Sequence, residues 1–287
     1  MGEVLTAVAP AKVNLVLEVL GRRDDGYHEI DTVLQTLQVA DRVSIANAGP
    51  DDPRVEVTGP WRSGVPADAS NLAWKAVMLL AERLKRDASN LRILLEKHIP
   101  AAGGLGGGSS DAVTILRLLA RRWPEATAAD LLDVAVRVGS DEAFFLTGGT
   151  ARAQGRGERV TKLPSLAPHG IVLFLPPATL ERKTARLFER LGRLPFDDGR
   201  RTAEFAARAP DPVRADQLYN SFERVAFDVF PGLGKLRDAI ESRIGTRVRL
   251  SGAGPALFWI GPLPVRDAIA EQAAGLPCEV VATQTAA

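Results

Sequence analysis

The stretch "LRILLEKHIPAAGGLGGGSSDAVTILRLLARRW", residues 91 to 123, constrains the chain most. Residues 91 to 100 read as a strand that stops at Pro100, and Val113, Leu116, Leu119 and Ala120 further on share one helical face. Five glycines fall among the thirteen residues between, from Pro100 to Ala112. A strand therefore passes through backbone almost free of side chains into a helix N-terminus, with Ser109, Ser110 or Asp111 available to cap its start. Glycine lets backbone N–H groups turn onto a ligand, and a helix N-terminus adds partial positive charge, so the junction suits a phosphate. It is not a Walker loop. Gly103 and Gly108 have that loop's glycine spacing, but Ser109 stands where the lysine must follow. A dinucleotide fingerprint would need an acidic residue at the end of a following strand, and here a helix follows. A glycine turn that serves only tight packing is the bland alternative.

The rest of the chain mixes strands and helices without strict alternation, which indicates an α+β protein with two sheets in two domains. "KVNLVLEVLG" alternates with period two: Val13, Leu15, Leu17 and Val19 share one face, and Lys12, Asn14, Val16 and Glu18 share the other. "SNLAWKAVMLLAERLKR" has helical periodicity with Ser70 as its expected N-cap, and "TAADLLDVAVRVG" is a helix closed by Gly139. A new pattern begins near Leu163-Pro164, dividing the chain into 1–162 and 163–287. Beyond it the pattern predicts a strand over 171–175 and a helix over 181–191, then a polar stretch over 195–216. Helices over 217–229 and 233–243 follow, then strands "RVRLSG" and "PALFWIG" flanking "SGAG", a helix over 264–274 and strand "CEVVAT".

Charge narrows the function. Lys plus Arg number 36 against 35 Asp plus Glu, a formal charge of +1, so no field exists to gather nucleic acid or an anionic membrane. Small-molecule partners fit better. Cys278 is the single cysteine, which removes a disulfide framework and points to a reducing compartment. No apolar run approaches the ~20 residues that span a bilayer, so a cytoplasmic location is expected. Monomer and homodimer both remain open.

"PAAGGLGGGSSDA" resembles the phosphate loop of the galactokinase, homoserine kinase, mevalonate kinase and phosphomevalonate kinase (GHMP) superfamily, which also lacks the Walker lysine. "PAKVNLVL" at residue 10 and "LSGAGPALF" at residue 250 resemble that superfamily's other two motifs, in the same order. The resemblance covers nearly the whole chain. It implies an N-terminal domain like the second domain of ribosomal protein S5 and a ferredoxin-like C-terminal domain. It also implies ATP as donor, its phosphates lying along Pro100, Ala101, Ala102, Gly103, Gly104, Leu105, Gly106, Gly107, Gly108, Ser109 and Ser110. Asn71, Leu72 and Ala73, with Lys97, resemble the adenine side. Mg2+ should bridge the phosphates; its protein ligands stay open, with the Ser109 and Ser110 hydroxyls as candidates. Asp111 would cap the helix or meet a metal-bound water.

The same resemblance makes Lys12 and Asp141, in "VGSDEAFF", the catalytic pair. On the residues alone Asp141 could equally cap a helix, and Lys12 and Asn14 could lie on a solvated strand face. With only seven lysines in the chain, one inside the most apolar early strand is notable. Asp141 is expected to accept the acceptor's hydroxyl proton, and Lys12 to hold Asp141 ionised and orient that hydroxyl. "DDGYHEIDT", residues 24 to 32, is similar to the "DGYH" element of the 4-diphosphocytidyl-2-C-methyl-D-erythritol kinases. That similarity implies that Tyr27 and His28, with Asn14, meet the acceptor and that Thr184 and Phe188 of "ERKTARLF" complete a cytosine pocket. The activity implied is phosphorylation of the acceptor's 2-hydroxyl in the non-mevalonate isoprenoid pathway. A homoserine- or mevalonate-type kinase and a non-catalytic ligand sensor are the alternatives. Three departures stand out: Glu142-Ala143 in place of Val-Pro, "NSFE" at residue 220 in place of Asn-Asp-Leu-Glu, and Asp111 where Asn is frequent.

Overall fold

The computed structural model describes residues 4–101, 103–177, 180, 182–209 and 212–287; Ala102, expected in the phosphate loop, lies outside them. The chain forms two compact units drawn from interleaved stretches. Unit 1 takes Met1–Ala11, Val39–Ala101 and Gly106–Thr147, and unit 2 takes Lys12–Gln38, Ala102–Leu105 and Gly148–Ala287. Residues 162 and 163 both fall in unit 2. Strand β1 (Leu5–Arg22) and strand β2 (His28–Asn47) contribute residues to each unit.

In unit 1, β3 (Val55–Thr58) is followed by helix α1 (Leu72–Leu84) and strand β4 (Leu91–Glu96). Strand β4 runs antiparallel to residues 42–47 of β2 and parallel to β3. Leu91, Ile93 and Leu95 of β4 are buried at alternate positions, the period-two pattern of a strand with one face in a core. Helix α2 (Gly107–Arg122) follows the glycine loop, and α3 (Ala128–Val138) and α4 (Glu142–Thr147) complete the unit. Val77 and Leu80 of α1 and Ile115, Leu116 and Leu119 of α2 share one core with Val43, Ile45 and Ile93. Burying such side chains fully contributes about 1.5–3 kcal/mol each.

Unit 2 holds two sheets. Strand β5 (Thr150–Gly155) pairs antiparallel with residues 30–35 of β2 and with β6 (Arg159–Lys162). The second sheet begins with β7 (His169–Leu175). The chain then runs through α5 (Lys183–Leu191), α6 (Arg200–Arg208), β8 (Tyr219–Asn220), α7 (Glu223–Val229) and α8 (Leu233–Ile244). It ends with β9 (Arg249–Leu250), β10 (Leu257–Pro262), α9 (Arg266–Gln272) and β11 (Glu279–Gln284). The second sheet has the order β11-β7-β10-β9, with each pair antiparallel. All of β7 is buried, so this strand reads as a continuous apolar run. The α+β expectation holds. Among the described residues no helix is long and apolar enough to cross a membrane.

Residues 11–19 of β1 are all buried, so the solvated-face alternative for Lys12 and Asn14 does not hold. Two local expectations need correction. The polar stretch over 195–216 contains α6, a helix with few apolar residues. Its N-terminus is held by the buried Glu18, whose Oε2 accepts from Thr202 N and Thr202 Oγ1, each at 2.8 Å. The helix expected over 217–229 starts only at Glu223, because Asn220 Oδ1 accepts from Phe222 N at 2.9 Å and fixes a turn there.

The glycine loop and the "SGAG" turn of unit 2 meet backbone to backbone. Ala256 N donates to Gly103 O at 3.2 Å, and Ser251 Oγ donates to Gly104 O at 3.0 Å. Gly104 has φ +88°, and a Cβ there would be driven into Ser251 O; a Cβ on Gly254 would be driven into Gly103 O. Gly254→Ala is expected to destabilise the protein by about 3 kcal/mol, at the upper end of overpacking costs. Gly21→Ala, with nothing within 4 Å of its added carbon, should leave the thermal midpoint in place. Equal midpoints in a melting experiment would refute the interlock.

Candidate active site

Helix α2 begins one residue after Gly106, whose φ of 73° is left-handed and which supplies no capping side chain. Ser109, Ser110 and Asp111, expected at the cap, lie inside the first turns instead, and the first-turn N–H groups are left without a capping side chain. Those donors, with the helix dipole, favour an anion. Ser110 Oγ is buried and has no hydrogen-bond partner.

Beneath the loop, the buried Lys97 ammonium sits between the carboxylates of Asp41 and Asp111. Asp41 Oδ1 accepts from His98 N and, at 2.8 Å, from Ile99 N, so one carboxylate fixes the path from β4 toward the glycines. Gly107 fits against this cluster: a Cβ there would lie 3.1 Å from Ile99 Cγ2 and 3.4 Å from Asp41 Oδ2. Burial raises Asp111 to about 7, and the Asp41 charge adds to that while Lys97 opposes it. Two carboxylates and one ammonium therefore hold an extra proton near neutrality. Asp111 is neither a cap nor exposed, and sequence reasoning missed Asp41 altogether. Asn71, not Ser70, caps α1: its Oδ1 accepts from Ala73 N at 2.9 Å and its Nδ2 donates to Pro66 O at 2.7 Å. Leu72 opens α1, and its Cδ1 would lie 3.4 Å from a Cβ on Gly108.

Asp141 is half-buried between Gly139, which closes α3, and α4; its carbonyl accepts from Phe145 N at 3.4 Å. Glu142 is fully buried, and a Cβ on Gly139 would lie 2.6 Å from its Oε2. Burial and then the Asp141 charge raise Glu142 to about 7, offset in part by the Ser109 hydroxyl and Lys75. A carboxyl in the place of the family's valine is thus partly protonated near neutrality beside Asp141.

In unit 2, Lys12 is 3% exposed and Asn14 is 4% exposed. Lys12 Nζ donates to Asn14 Oδ1 at 2.8 Å, Asn14 Nδ2 to Thr32 Oγ1 at 2.9 Å, and Thr32 Oγ1 to Val16 O at 2.6 Å. This relay fixes which way the amide points and presents its oxygen to the ammonium. Lys12 N donates to Leu105 O at 2.9 Å, tying the strand to the glycine loop. Gly252 (φ +55°) comes so close that a Cβ on it would lie 3.1 Å from Lys12 Nζ. Asn220 Nδ2 holds that turn by donating to Leu250 O and Gly252 O, each at 2.9 Å.

His28 and Phe188 stack with ring centroids 4.0 Å apart and planes 12° apart, and Phe222 meets Phe188 edge-on at 4.9 Å. Burial, then Arg22, lowers His28, so its ring is neutral at pH 7, with one donor and one acceptor nitrogen. Tyr27 is half exposed rather than packed in a strand, and Arg156 lies over its ring at 4.9 Å. Thr184 is exposed in the first turn of α5. The structure thus joins His28 to Phe188 and Lys12 to Asn14.

Residues 71–149 match the model of the GHMP kinases N terminal domain. A 4-diphosphocytidyl-2-C-methyl-D-erythritol kinase of Dehalococcoides mccartyi is 38% identical over 264 residues, 88% of each chain. One of Saccharopolyspora erythraea is 40% identical over 268 residues, covering 89% of this chain and 82% of the relative. The chain belongs to the 4-diphosphocytidyl-2-C-methyl-D-erythritol kinases. A solved 4-(cytidine 5'-diphospho)-2C-methyl-D-erythritol kinase matches with a TM-score of 0.77 at 34% identity, over 99% of this chain and 100% of that one. A homoserine kinase of Cytophaga hutchinsonii shares the fold, with a TM-score of 0.71 at 16% identity, over 100% of this chain and 95% of that one.

The kinase's buried triad accounts for one departure noted in its sequence. An aspartate that holds a proton can be replaced by an asparagine of the same shape. The folded-state value of Asp111 lies above the unfolded one, so its contribution turns against the folded state as pH rises from about 4 toward 7. Asp111→Asn in this kinase should therefore equal or exceed the parent's stability at pH 8, by a margin that shrinks on acidification. Asp41→Asn should cost about 1–3 kcal/mol, since it weakens the grip on His98 N and Ile99 N and leaves Lys97 with Asp111 as its one carboxylate. Denaturant titrations at pH 5 and pH 8 check both; equal losses for the two variants would remove the shared-proton account.

Proposed function

We propose that this kinase transfers the γ-phosphoryl group of ATP to the 2-hydroxyl of 4-diphosphocytidyl-2-C-methyl-D-erythritol, giving the 2-phosphate and ADP, in the non-mevalonate isoprenoid pathway. The observation that carries the reading is identity of 34–40% to kinases of that name across nearly nine-tenths of the chain. The homoserine and mevalonate kinases at 12–16% identity share the fold alone, so a different acceptor is not favoured. Its partners on this reading are two small molecules in the cytoplasm. The working division into an N-terminal domain over 1–162 and a C-terminal domain over 163–287 follows from the same family reading.

The chemistry asks mainly for positioning and charge neutralisation. The acceptor oxygen attacks the γ-phosphorus, its proton passes to the Asp141 carboxylate, and ADP leaves with the bond electrons. Lys12, oriented by Asn14, holds the acceptor hydroxyl. Residues 100–110 wrap the phosphates, with the uncapped first turn of α2 as the anion-binding end. Leu72 offers the adenine an apolar edge, while Asn71 and Lys97 hold the framework behind it. His28 and Phe188, with Tyr27, Asn14 and Thr184, receive the acceptor; a neutral imidazole suits a neutral base. The buried, unpartnered Ser110 Oγ and the neighbouring Ser109 hydroxyl are hard oxygen donors of the kind Mg2+ takes, so these residues fit the cation and would hold it. Bound there, Mg2+ would neutralise charge on the donor's phosphates.

A coupled ADP-release assay should give turnover with the cytidyl acceptor and none above background with homoserine or mevalonate. Asp141→Asn should lower kcat by about 100-fold or more while calorimetric ATP affinity changes by less than about threefold. Near-normal turnover in that variant would end the base assignment.

A further inference from the structure

Phe196 differs from the other exposed apolar residues of unit 2 in that its segment is pinned on both sides. It is 38% exposed, and its ring meets that of His28 with centroids 6.4 Å apart and planes 61° apart. Before it, Arg224 Nη1 donates to Pro195 O at 2.8 Å; after it, Asp197 N donates to Val19 O at 3.0 Å. The Asp197 carboxylate also accepts from Tyr219 Oη at 2.9 Å and from Ser221 Oγ. A lone apolar side chain at a surface is ordinary. One on a segment held by four hydrogen bonds, with its ring beside a residue assigned to the acceptor, is a preorganised contact. Two residues of the "NSFE" departure build this corner, since Ser221 binds Asp197 and Phe222 meets Phe188 edge-on at 4.9 Å.

The His28–Phe188 stack governs how a base can enter. With centroids 4.0 Å apart and planes 12° apart the two rings are already in contact, so no planar group fits between them. A base reaches the imidazole along its edge instead, because the donor and acceptor directions of the ring nitrogens lie in the ring plane. Phe196, exposed and inclined at 61° to that plane, is placed to meet such a base edge-to-face, a geometry that aromatic pairs prefer over a sandwich. We propose that Phe196 is a specificity-determining residue of the acceptor site, the aromatic that packs against the acceptor's nucleobase while His28 reads its edge. The proposal rests on the acceptor reading above.

Calorimetric affinity for cytidine diphosphate, measured with ADP saturating so that the donor's place is filled, tests this in the parent chain, Phe196→Leu and Phe196→Tyr. Affinity for ADP alone and the thermal midpoint are measured alongside. Phe196→Leu keeps an apolar side chain and removes the ring, so it should weaken cytidine diphosphate about fivefold, with ADP affinity and midpoint as in the parent. Phe196→Tyr keeps the ring and should stay within about twofold of the parent. Unchanged affinity in Phe196→Leu overturns the proposal. So does an equal loss in both variants, or a loss in Phe196→Leu shared with ADP or accompanied by a lowered midpoint, since each would make Phe196 a support for its own segment. A parent that binds ADP but not cytidine diphosphate would overturn the acceptor reading itself, and this proposal with it.

Discussion

The Asp41–Lys97–Asp111 cluster is the interaction on which the start of α2 depends. The first turn of a helix offers its N–H groups to a ligand only if the chain leading into it cannot collapse onto them. Here a carboxylate takes the N–H groups of His98 and Ile99, and an ammonium joins β2, the end of β4 and the start of α2 from below. No residue of the cluster is exposed, so its charges are not screened by salt as surface pairs are. The cost is desolvation, and the cluster lowers that cost by leaving Asp111 partly protonated near neutrality. Ligand binding then meets donors that are already arranged.

Much of this is legible in the amino-acid pattern. Glycine-rich backbone between a strand and a helix has few physical uses, and the period-two alternation over residues 12–19 marks β1 without help from any distant partner. What stays hidden depends on partners far away in sequence. Glu18 looks like the solvent side of an amphipathic strand, yet it holds the N-terminus of α6, whose own sequence is too polar to announce a helix. Asp41 lies in a β-rich stretch with nothing local to mark it, because its three partners arrive from residues 97 to 99. Asp111 stands where a cap is normal, and only the position of Lys97 reveals its other occupation.

The catalytic candidates are legible as residue types and not as geometry. A lysine in an apolar strand signals function or error, and the Asn14–Thr32 relay is what distinguishes the two. The acceptor residues follow from a short motif, and here the structure revises the picture: His28 lies flat on Phe188, while Tyr27 stands at the surface under Arg156. Stacking and exposure are set by α5, and no local pattern near residue 27 encodes where that helix will dock.

The interlocked glycines at 103–104 and 252–254 carry a lesson for reading variation in this chain. Each pair is the steric complement of the other, so the two stretches behave as one structural word spelled in two places about 150 residues apart. A substitution at Gly104 would abolish activity through misfitted backbone, and an observer scoring only function would credit that loss to a nucleotide contact. The second glycine motif is, in this chain, scaffolding for the first.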